Sequence, residues 1–448
     1  MEKDNFMLEQ SHNREVISKP ERVFLVGIGI KHSFPLLSVT DSLSELALLA
    51  ETAGMEVVGD TFQNLNSIDS ATMIGKGKVE EIKEMLLALG AEVVIFDDEL
   101  SPRHQRELEK SFGEAIKVLD RSALILDIFA QHAHTREGAL QVELAQYQYR
   151  LPRLTRAWTH LARQSGGGSG RSGAGGVGLR GPGETQLEVD RREIGRKISK
   201  LKVDLEQVRS HRGRHRQQRD RAGMPLIALV GYTNAGKSTL LHALTGADIY
   251  IADQLFATLD PTTRRLELPS KRTAVITDTV GFIQKLPTTL IAAFQATLEE
   301  IKEADLLLEV ADATHPNVMQ HIETVDDTLA EIDVPPVPKI LVWNKVDQLH
   351  EDDENLILQQ VPEGRYTRIV KVSALTGQGI PELMLAIEEV LAASLYAITL
   401  KLPYDRGDLV SLIHEQASVE SSLHTSDGIE MKARVSAALL DRLLEFRV

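Results

Sequence analysis

The sequence has no cysteine among its 448 residues, and aromatic residues make up only 4% of it. The lack of cysteine excludes disulfide scaffolds and thiolate zinc sites, and it fits a reducing compartment. The scarcity of aromatics argues against a protein that binds single strands by stacking. No apolar run approaches the roughly 18 residues that cross a bilayer, and residues 1–21 are polar, unlike a signal peptide. We therefore expect a soluble, cytoplasmic protein. Peripheral association of part of the protein with a membrane is left open.

The charge is acidic overall, with a formal net charge of −15, but it is unevenly distributed. Residues 191–223 contain 12 Lys and Arg against 4 Asp and Glu, which gives this segment +8 and leaves −23 on the rest. A basic segment on an acidic protein indicates a local contact with a polyanion. A solvated helix face explains the same composition equally well.

The N-terminal part, residues 22–136, alternates short apolar runs with amphipathic stretches, after a flexible segment at residues 1–21. Ser101-Pro102 has the signature of a helix start, and Gly54 and Gly90 each follow a helical pattern. Strands that alternate with helices predict a small, mainly parallel α/β sheet. The predicted strands are residues 23–30, 57–62, 93–96 and 116–119, and the predicted helices begin near residues 42, 78 and 102.

The middle part, residues 137–223, has the apolar spacing of helices. Two seams with a four-three spacing run over residues 140–161 and 187–208, and such seams pair with each other. We expect Pro152 to kink the first helix. Residues 166–183 contain ten glycines together with Arg171 and Arg180. The pattern predicts an antiparallel helical hairpin with a flexible, basic-tipped loop, and a plain linker is the alternative.

Residues 224–394 again alternate strands and helices, and they carry a phosphate-binding motif. A predicted strand at residues 226–230 leads into Gly-Tyr-Thr-Asn-Ala-Gly-Lys-Ser, which fits G-x-x-x-x-G-K-S in a strand–loop–helix context. The loop and the following helix N-terminus would present N–H groups to phosphates. Lys237 would reach the β- and γ-phosphates, and Ser238 would ligate Mg²⁺. The nucleotide contacts predicted here are Gly231, Asn234, Ala235, Gly236, Lys237, Ser238 and Thr239.

Two later motifs select the base. Asn344-Lys345-Val346-Asp347 follows an apolar strand, and the Asp347 carboxylate can accept hydrogen bonds from N1–H and N2–H₂ of guanine. Adenine offers no such pair of donors, and a carboxylate left buried and unpaired beneath it would reject it. In the third motif, Ser373-Ala374-Leu375, the N–H of Ala374 can meet guanine O6. Together the motifs predict a guanine nucleotide site.

The predicted switch residues lie between these motifs. Asp278, at the start of Asp-Thr-Val-Gly, would hold Mg²⁺ through water, and Gly281 would sense the γ-phosphate. Thr258 is the candidate that closes over the metal, with Thr262 and Thr263 as rivals. Phe282 occupies the position where many switch GTPases carry a water-orienting Gln, which predicts slow intrinsic hydrolysis that a partner or an ion raises.

Asn234 matches the position at which potassium-stimulated GTPases carry an asparagine, so K⁺ is a candidate cofactor beside Mg²⁺. A hydrogen bond within the loop is the alternative. Residues 395–448 read as strand, helix, two strands and helix, a small α+β domain.

The motifs together resemble those of the HflX family. The resemblance is carried by the phosphate loop, by Phe-Ala-Thr-Leu-Asp-Pro-Thr-Thr-Arg at residues 256–264, by Asp-Thr-Val-Gly-Phe-Ile at 278–283 and by Gly-Pro-Gly-Glu-Thr-Gln-Leu-Glu at 181–188. It spans nearly the whole chain after residue 21. It implies a P-loop GTPase that binds the large ribosomal subunit and dissociates stalled ribosomes under stress. Independently of the resemblance, a monomer is the default expectation.

The resemblance also implies contacts outside the G domain. The hairpin and its glycine loop would approach ribosomal RNA, and the predicted RNA contacts are Arg171, Arg180, Arg209, Arg212, Arg214 and Arg216. The family is associated with ATP at the N-terminal domain, where Gly75-Lys-Gly-Lys78 is the local candidate; an ordinary helix entry is the alternative.

Other interpretations stay open at this point. The histidine pairs 132/134 and 211/215 have a spacing that suits a metal, although solvated or RNA-facing roles are favoured. A ribosome-biogenesis module timed by GTP and a nucleotide switch that regulates a non-ribosomal protein are the alternatives to ribosome splitting.

Overall fold

The computed structural model describes most of the chain, and its described residues fall into two compact units, one within residues 1–33 and 39–121 and the other within residues 34–38 and 122–448. The described residues are 20–33, 35–154, 184–222, 224–246, 255–287, 290, 295–349, 361–362, 364–393, 395–435 and 437–448. Within them, no helix is long and apolar enough to cross a membrane.

The first unit is a four-stranded parallel sheet in the order β2-β1-β3-β4, which confirms the predicted α/β fold. β3 is buried along its whole length. Ser101 caps the third helix by accepting a hydrogen bond from the N–H of His104 at 3.2 Å, and Gly90, at φ 61°, ends the second. The elements are β1 Arg22–Ile30, α1 Val39–Thr52, β2 Glu56–Leu65, α2 Lys76–Leu89, β3 Val93–Phe96, α3 Pro102–Phe112 and β4 Lys117–Asp120.

Charged side chains are buried at the carboxyl ends of β3 and β4. Arg121 is 1% exposed and donates to Asp97 at 2.8 Å and to Glu45. Ser42 donates to the other oxygen of Asp97 at 2.7 Å. Asp120 accepts from the N–H of Leu100 at 2.9 Å. Arg121 is therefore paired with carboxylates of the same unit.

The second unit begins with helices that differ in part from the prediction. The sequence patterns did not indicate α4, Arg121–His132. The next helix, α5, Arg136–Arg150, ends before Pro152, which lies in a 3₁₀ turn at Leu151–Arg153. The predicted kink at Pro152 is therefore wrong: a missing N–H and a fixed φ end this helix. The later part of the seam and the glycine loop lie outside the described residues.

The long helix α6, Glu184–Ala222, packs against α5 through an apolar cluster. Leu144, Leu201 and Leu205 are buried there. Lys197 donates to the hydroxyl of Tyr147 at 3.2 Å. The two predicted seams thus meet, over the part of them that the structure describes.

A six-stranded sheet follows, in the order β10-β9-β8-β5-β7-β6. Only β6 runs antiparallel to its neighbour. Parallel strands with buried faces explain the continuous apolar runs of β5 and β9, and in β8 only Glu309 interrupts such a run. The elements are β5 Leu226–Gly231, α7 Lys237–Thr245, β6 Thr262–Glu267, β7 Thr273–Asp278, α8 Gln295–Lys302, β8 Leu306–Asp312, α9 Val318–Glu331, β9 Lys339–Asn344, β10 Arg368–Lys371 and α10 Ile380–Ala393.

The last segment has the predicted order of strand, helix, two strands and helix. Its antiparallel sheet, β11-β13-β12, buries one face against the two helices. The elements are β11 Tyr396–Leu402, α11 Gly407–Gln416, β12 Ser418–Thr425, β13 Gly428–Val435 and α12 Ala437–Leu443.

Candidate nucleotide site

The glycine-rich loop lies between the central strand β5 and α7, as the motif predicts. Gly231 has φ 150°, and a Cβ there would meet the carbonyl oxygen of Val310 at 2.3 Å. Gly236 has φ 91°, and its Cβ would meet the Asn344 side chain at 2.2 Å. Both positions therefore require glycine. The loop ends at the N-terminus of α7, and the N–H groups of a helix N-terminus favour an anion.

Lys237 is buried within this loop. Its Nζ donates to the carbonyl oxygens of Gly231 at 3.2 Å and Tyr232 at 2.8 Å. Desolvation by burial lowers the pKa of Lys237 to about 8, and the nearby Asp278 offsets part of this effect. The ammonium thus lies in a setting that an added negative charge would stabilise.

Three oxygen-bearing side chains from three segments meet beside Lys237. The Ser238 Oγ lies 2.7 Å from the Thr258 Oγ1 and donates to Asp278 Oδ2 at 2.7 Å. Burial raises the pKa of Asp278 despite the charge of Lys237. The other oxygen, Asp278 Oδ1, is buried with no hydrogen-bond partner in the described part of the chain.

The rival threonines lie elsewhere. Thr262 and Thr263 begin β6, and Thr263 contacts Thr277 of β7 at 3.3 Å. Of the three candidates, Thr258 is the one whose hydroxyl lies within hydrogen-bond distance of Ser238.

The segment after Asp278 is tied to the glycine loop. A Cβ on Gly281 would lie 2.8 Å from the Thr233 backbone and 3.0 Å from Lys237 Nζ. Phe282 is 2% exposed and packs in the core beside β5. Its carbonyl accepts from the N–H of Thr233 at 2.7 Å, and its own N–H donates to Gly231 at 3.1 Å. An apolar, buried side chain there cannot orient a water.

Asn344 joins the base-side motifs to the loop. Its Nδ2 donates to the carbonyl of Ala235 at 2.9 Å, and its Oδ1 accepts from the N–H of Ala374 at 3.0 Å. Lys345, at φ 65°, forms an ion pair with Asp312 at 2.7 Å. Asp347 is exposed in a 3₁₀ turn.

The third motif lies next to Asn344. Ser373 is fully buried, and its Oγ accepts from the N–H of Thr376 at 3.1 Å. Leu375 is 78% exposed. The structure therefore brings all three predicted motifs to the carboxyl edge of one sheet.

Some functional candidates were missed from the sequence. Thr233 lines the same cleft as Asn234, Lys237, Ser238, Thr239 and Thr258, and its Oγ1 accepts from the N–H of Phe256 at 3.1 Å. The ring of Tyr232 stacks on His321 of α9 at 3.7 Å, and burial lowers the pKa of His321 to about 3. The x positions of the loop motif carry no signal for such contacts.

The remaining predicted residues either lie outside the described part of the chain or show no arrangement that indicates a binding site. Arg171 and Arg180 lie outside the described residues, as do the side chains of Arg209, Arg212, Arg214 and Arg216 and of the histidine pair 211/215. His132 Nδ1 lies 2.9 Å from the carbonyl of Ile128. In the described ranges, no group of three or more His, Cys, Asp or Glu residues is placed to hold a metal. Gly75 precedes α2, and its N–H donates to the Gln63 side chain at 3.0 Å.

The fold and the three motifs together define a P-loop GTPase. Family models match nearly the whole chain: GTP-binding GTPase N-terminal at residues 40–130, GTP-binding GTPase Middle Region at 132–219, 50S ribosome-binding GTPase at 226–345 and HflX C-terminal domain at 358–445. The chain belongs to the HflX family of GTPases, and it hydrolyses GTP.

Curated relatives agree in length with this chain. GTPase HflX of Caldanaerobacter subterraneus subsp. tengcongensis is 45% identical over 91% of this chain and 90% of its own. GTPase HflX of Escherichia coli strain K12 is 45% identical over 87% and 88%. The crystal structure of SsGBP with GDP aligns with a TM-score of 0.45 and 24% identity over 83% of this chain and 99% of that one, a likeness too low to support any statement on function.

Proposed function

We propose that the residues gathered at the loop bind GTP and GDP with Mg²⁺. Ser238, Thr258 and Asp278 are the proposed ligands, with Asp278 acting through water. Their oxygens are the hard donors that Mg²⁺ prefers, and the unpartnered, buried Asp278 Oδ1 fits this use. When bound, Mg²⁺ neutralises charge on the β- and γ-phosphates. The proposed nucleotide contacts are Gly231, Asn234, Ala235, Gly236, Lys237, Ser238, Thr239, Asn344, Lys345, Asp347, Ser373, Ala374 and Leu375.

In this proposal the chain's own groups position the nucleotide. Lys237 exchanges the loop carbonyls for phosphate oxygens, Asp347 accepts from the guanine edge, and Gly281 reports the γ-phosphate. Phe282 supplies no polar group for the attacking water, so intrinsic hydrolysis is slow. A partner, or K⁺ held with the help of Asn234, completes the site.

We propose further that this partner is the large ribosomal subunit, that the protein dissociates stalled or idle ribosomes under stress, and that hydrolysis resets it. The observation that carries this proposal is the basic stripe on α6. Arg192, Arg196 and Lys200 are exposed at a spacing of four residues, which puts them on one side of the helix. The match to a model described as 50S ribosome-binding GTPase supports the same partner.

The remaining assignments extend this proposal. Arg171, Arg180, Arg209, Arg212, Arg214 and Arg216 are the proposed further RNA contacts. The proposed domains are residues 22–136, 137–223, 224–394 and 395–448, after the segment 1–21. ATP binding at the N-terminal domain and cytoplasmic location stay predictions.

The test is steady-state GTP hydrolysis in potassium buffer, with and without purified large ribosomal subunits. The chain is compared with the triple variant Arg192→Gln, Arg196→Gln, Lys200→Gln. The control removes the same charge from the exposed Lys401, Lys432 and Arg434 of the C-terminal sheet. We expect the large ribosomal subunit to stimulate GTP hydrolysis. We expect the stripe variant, unlike the control, to bind the subunit less tightly, with an affinity that depends less on salt concentration.

The outcomes separate the candidate functions. Stimulation without splitting of intact ribosomes would favour a biogenesis module. No stimulation, with guanine nucleotide still bound, would favour a switch that acts on a non-ribosomal protein. An equal loss of affinity for the large ribosomal subunit in the stripe variant and in its control would contradict the role proposed for α6.

A further inference from the structure

The segment around Thr258 is held at two points by the corner between α4 and α5, here called the α4–α5 corner and defined as residues 129–138. The first point is Phe256, which is 2% exposed and has φ 58°. Its ring meets Phe129 edge-on, with centroids 4.6 Å apart, and its N–H donates to Thr233. A bulky residue with positive φ is unfavourable, so these contacts hold it in place.

The second point is Asp260. Its Oδ2 accepts from the N–H groups of His134 at 3.0 Å and Thr135 at 2.8 Å, and its Oδ1 accepts from the Thr135 hydroxyl. Thr135 in turn caps α5, since its Oγ1 accepts from the N–H of Gly138 at 3.0 Å. A carboxylate at a helix N-terminus is favourable.

Gly138 provides the space for this contact. A Cβ on Gly138 would lie 2.3 Å from Asp260 Oδ1. Its φ is not in the left-handed region, so the backbone accepts other residues there. The absence of a side chain at this position is therefore explained by the carboxylate of Asp260.

Thr258 lies two residues from each anchor, and its Oγ1 is 2.7 Å from Ser238. We propose that Asp260 and Phe256 are positioning residues for GTP hydrolysis, and that the α4–α5 corner sets the place of Thr258 at the metal. The inference rests on the proposed role of Thr258 as an Mg²⁺ ligand.

An energetic consequence follows from this arrangement. Anchors that order Thr258 beforehand reduce the entropy lost when the segment closes on Mg²⁺ and GTP. Guanine and the first two phosphates are bound by other residues, so GDP gains little from the anchors. Linkage is reciprocal, and a GTP analogue should therefore tighten the α4–α5 corner.

The experiment compares dissociation constants for GMPPNP and GDP in Mg²⁺ buffer, using the 448-residue chain. The variants are Asp260→Asn and Gly138→Ala. Gly195→Ala in α6 is the matched control, because a Cβ there meets nothing within 4 Å. We expect the two variants to weaken GMPPNP about tenfold and GDP by less than about twofold, a coupling of ordinary size, with no change in the control.

Gly138→Ala separates positioning from folding, because alanine favours a helix over glycine. Equal effects on GMPPNP and GDP in both variants would overturn the inference. Hydrogen exchange of the unmodified chain gives an independent check: GMPPNP, compared with GDP, should protect the amides of His134 and Thr135. An absence of added protection would also overturn it.

Thr258→Ala distinguishes the two levels of the argument. If this change leaves GMPPNP affinity and its Mg²⁺ dependence intact, the proposed magnesium site is wrong. If it weakens both while Asp260→Asn and Gly138→Ala do not, the magnesium site stands and only the positioning role fails.

Discussion

A parallel sheet and a mainly parallel sheet in this chain carry charged side chains at the carboxyl ends of their strands, and the two sets of charges differ in their partners. In the N-terminal sheet, Arg121 is paired with Asp97 and Glu45 in the interior. In the G domain sheet, Lys237 is surrounded mainly by main-chain oxygens, and Asp278 has a buried oxygen without a partner in the described chain.

The difference separates a structural set of charges from a functional one. Charges that pair with each other in the interior make the fold sensitive to the loss of either partner, and they leave little for a ligand. Ionisable groups whose pKa values are shifted by burial, next to a loop in which two positions require glycine, indicate a site that binds a ligand of opposite charge. Burial alone would not distinguish these sites.

The largest effect should come from Lys237→Ala. It removes the charge that faces the phosphates, and we expect guanine nucleotide affinity to fall by about a thousandfold or more, in line with a lost charge-assisted contact in a buried site. Isothermal titration with GDP measures this. Because the free protein buries this ammonium at a cost, its thermal stability without nucleotide should not decrease; a large decrease would mean that Lys237 is structural, like Arg121.

Arg121→Met should have the opposite profile. It leaves two carboxylates without their buried partner, so the free energy of unfolding of the N-terminal unit should drop by about 3–5 kcal/mol. Urea unfolding measures it, with Lys117→Gln, which removes an exposed partner of Glu21 in the same sheet, expected to cost at most about 1 kcal/mol. GDP affinity of the folded fraction should stay unchanged.

Asp347→Asn tests the base side of the second site. The amide cannot accept from both guanine donors but complements xanthine, so we expect preference to move from GDP to XDP by about a hundredfold. Competition binding with both nucleotides measures the ratio. Unchanged preference would remove the base assignment from this motif.

Lys237 also gives a pH dependence. Its pKa of about 8 in the free protein should rise when phosphate binds, because the phosphate stabilises the ammonium. Well below pH 8 the Lys237 ammonium is charged in both the free protein and the complex. As the pH rises through 8 towards the higher pKa of the complex, binding takes up a proton and the affinity falls. Titrations at about pH 9 in buffers of different ionisation enthalpy should show uptake of about 0.9 proton, and Lys237→Ala should show none.

The smallest effect concerns Asn234. If K⁺ acts at this site, hydrolysis should be a few-fold faster in KCl than in NaCl, within the range of a single electrostatic contact, and Asn234→Ala should remove the difference. Equal rates in both salts for the unmodified chain would leave Asn234 as a loop residue.

The sequence indicated much of this architecture because its patterns are local. Apolar runs such as residues 226–230 and 93–96 mark buried strands. The glycine loop between β5 and α7 is recognisable because its backbone conformation requires glycine at fixed positions. α4 was missed because it lies directly after β4, where no turn residue separates the two elements. Pro152 was misread because a proline can either kink or end a helix.

Contacts between distant positions were beyond such reasoning. Asp260 and Thr135 are 125 positions apart, and no sequence motif predicts that they are in contact. The pairing of Arg121 with Asp97 and Glu45 likewise depends on strand order. Only the tertiary fold brings these groups together.

The length of α6 has a mechanical consequence. Its 39 residues extend about 58 Å at 1.5 Å per residue, and it ends at Ala222, four positions before β5 begins at Leu226. The C-terminal end of this helix is therefore close in the chain to the nucleotide-binding sheet, and its N-terminal end is about 58 Å away along the helix axis. A rigid tilt of about 5° at the C-terminal end would therefore displace the first turn of the helix by about 5 Å, given its length.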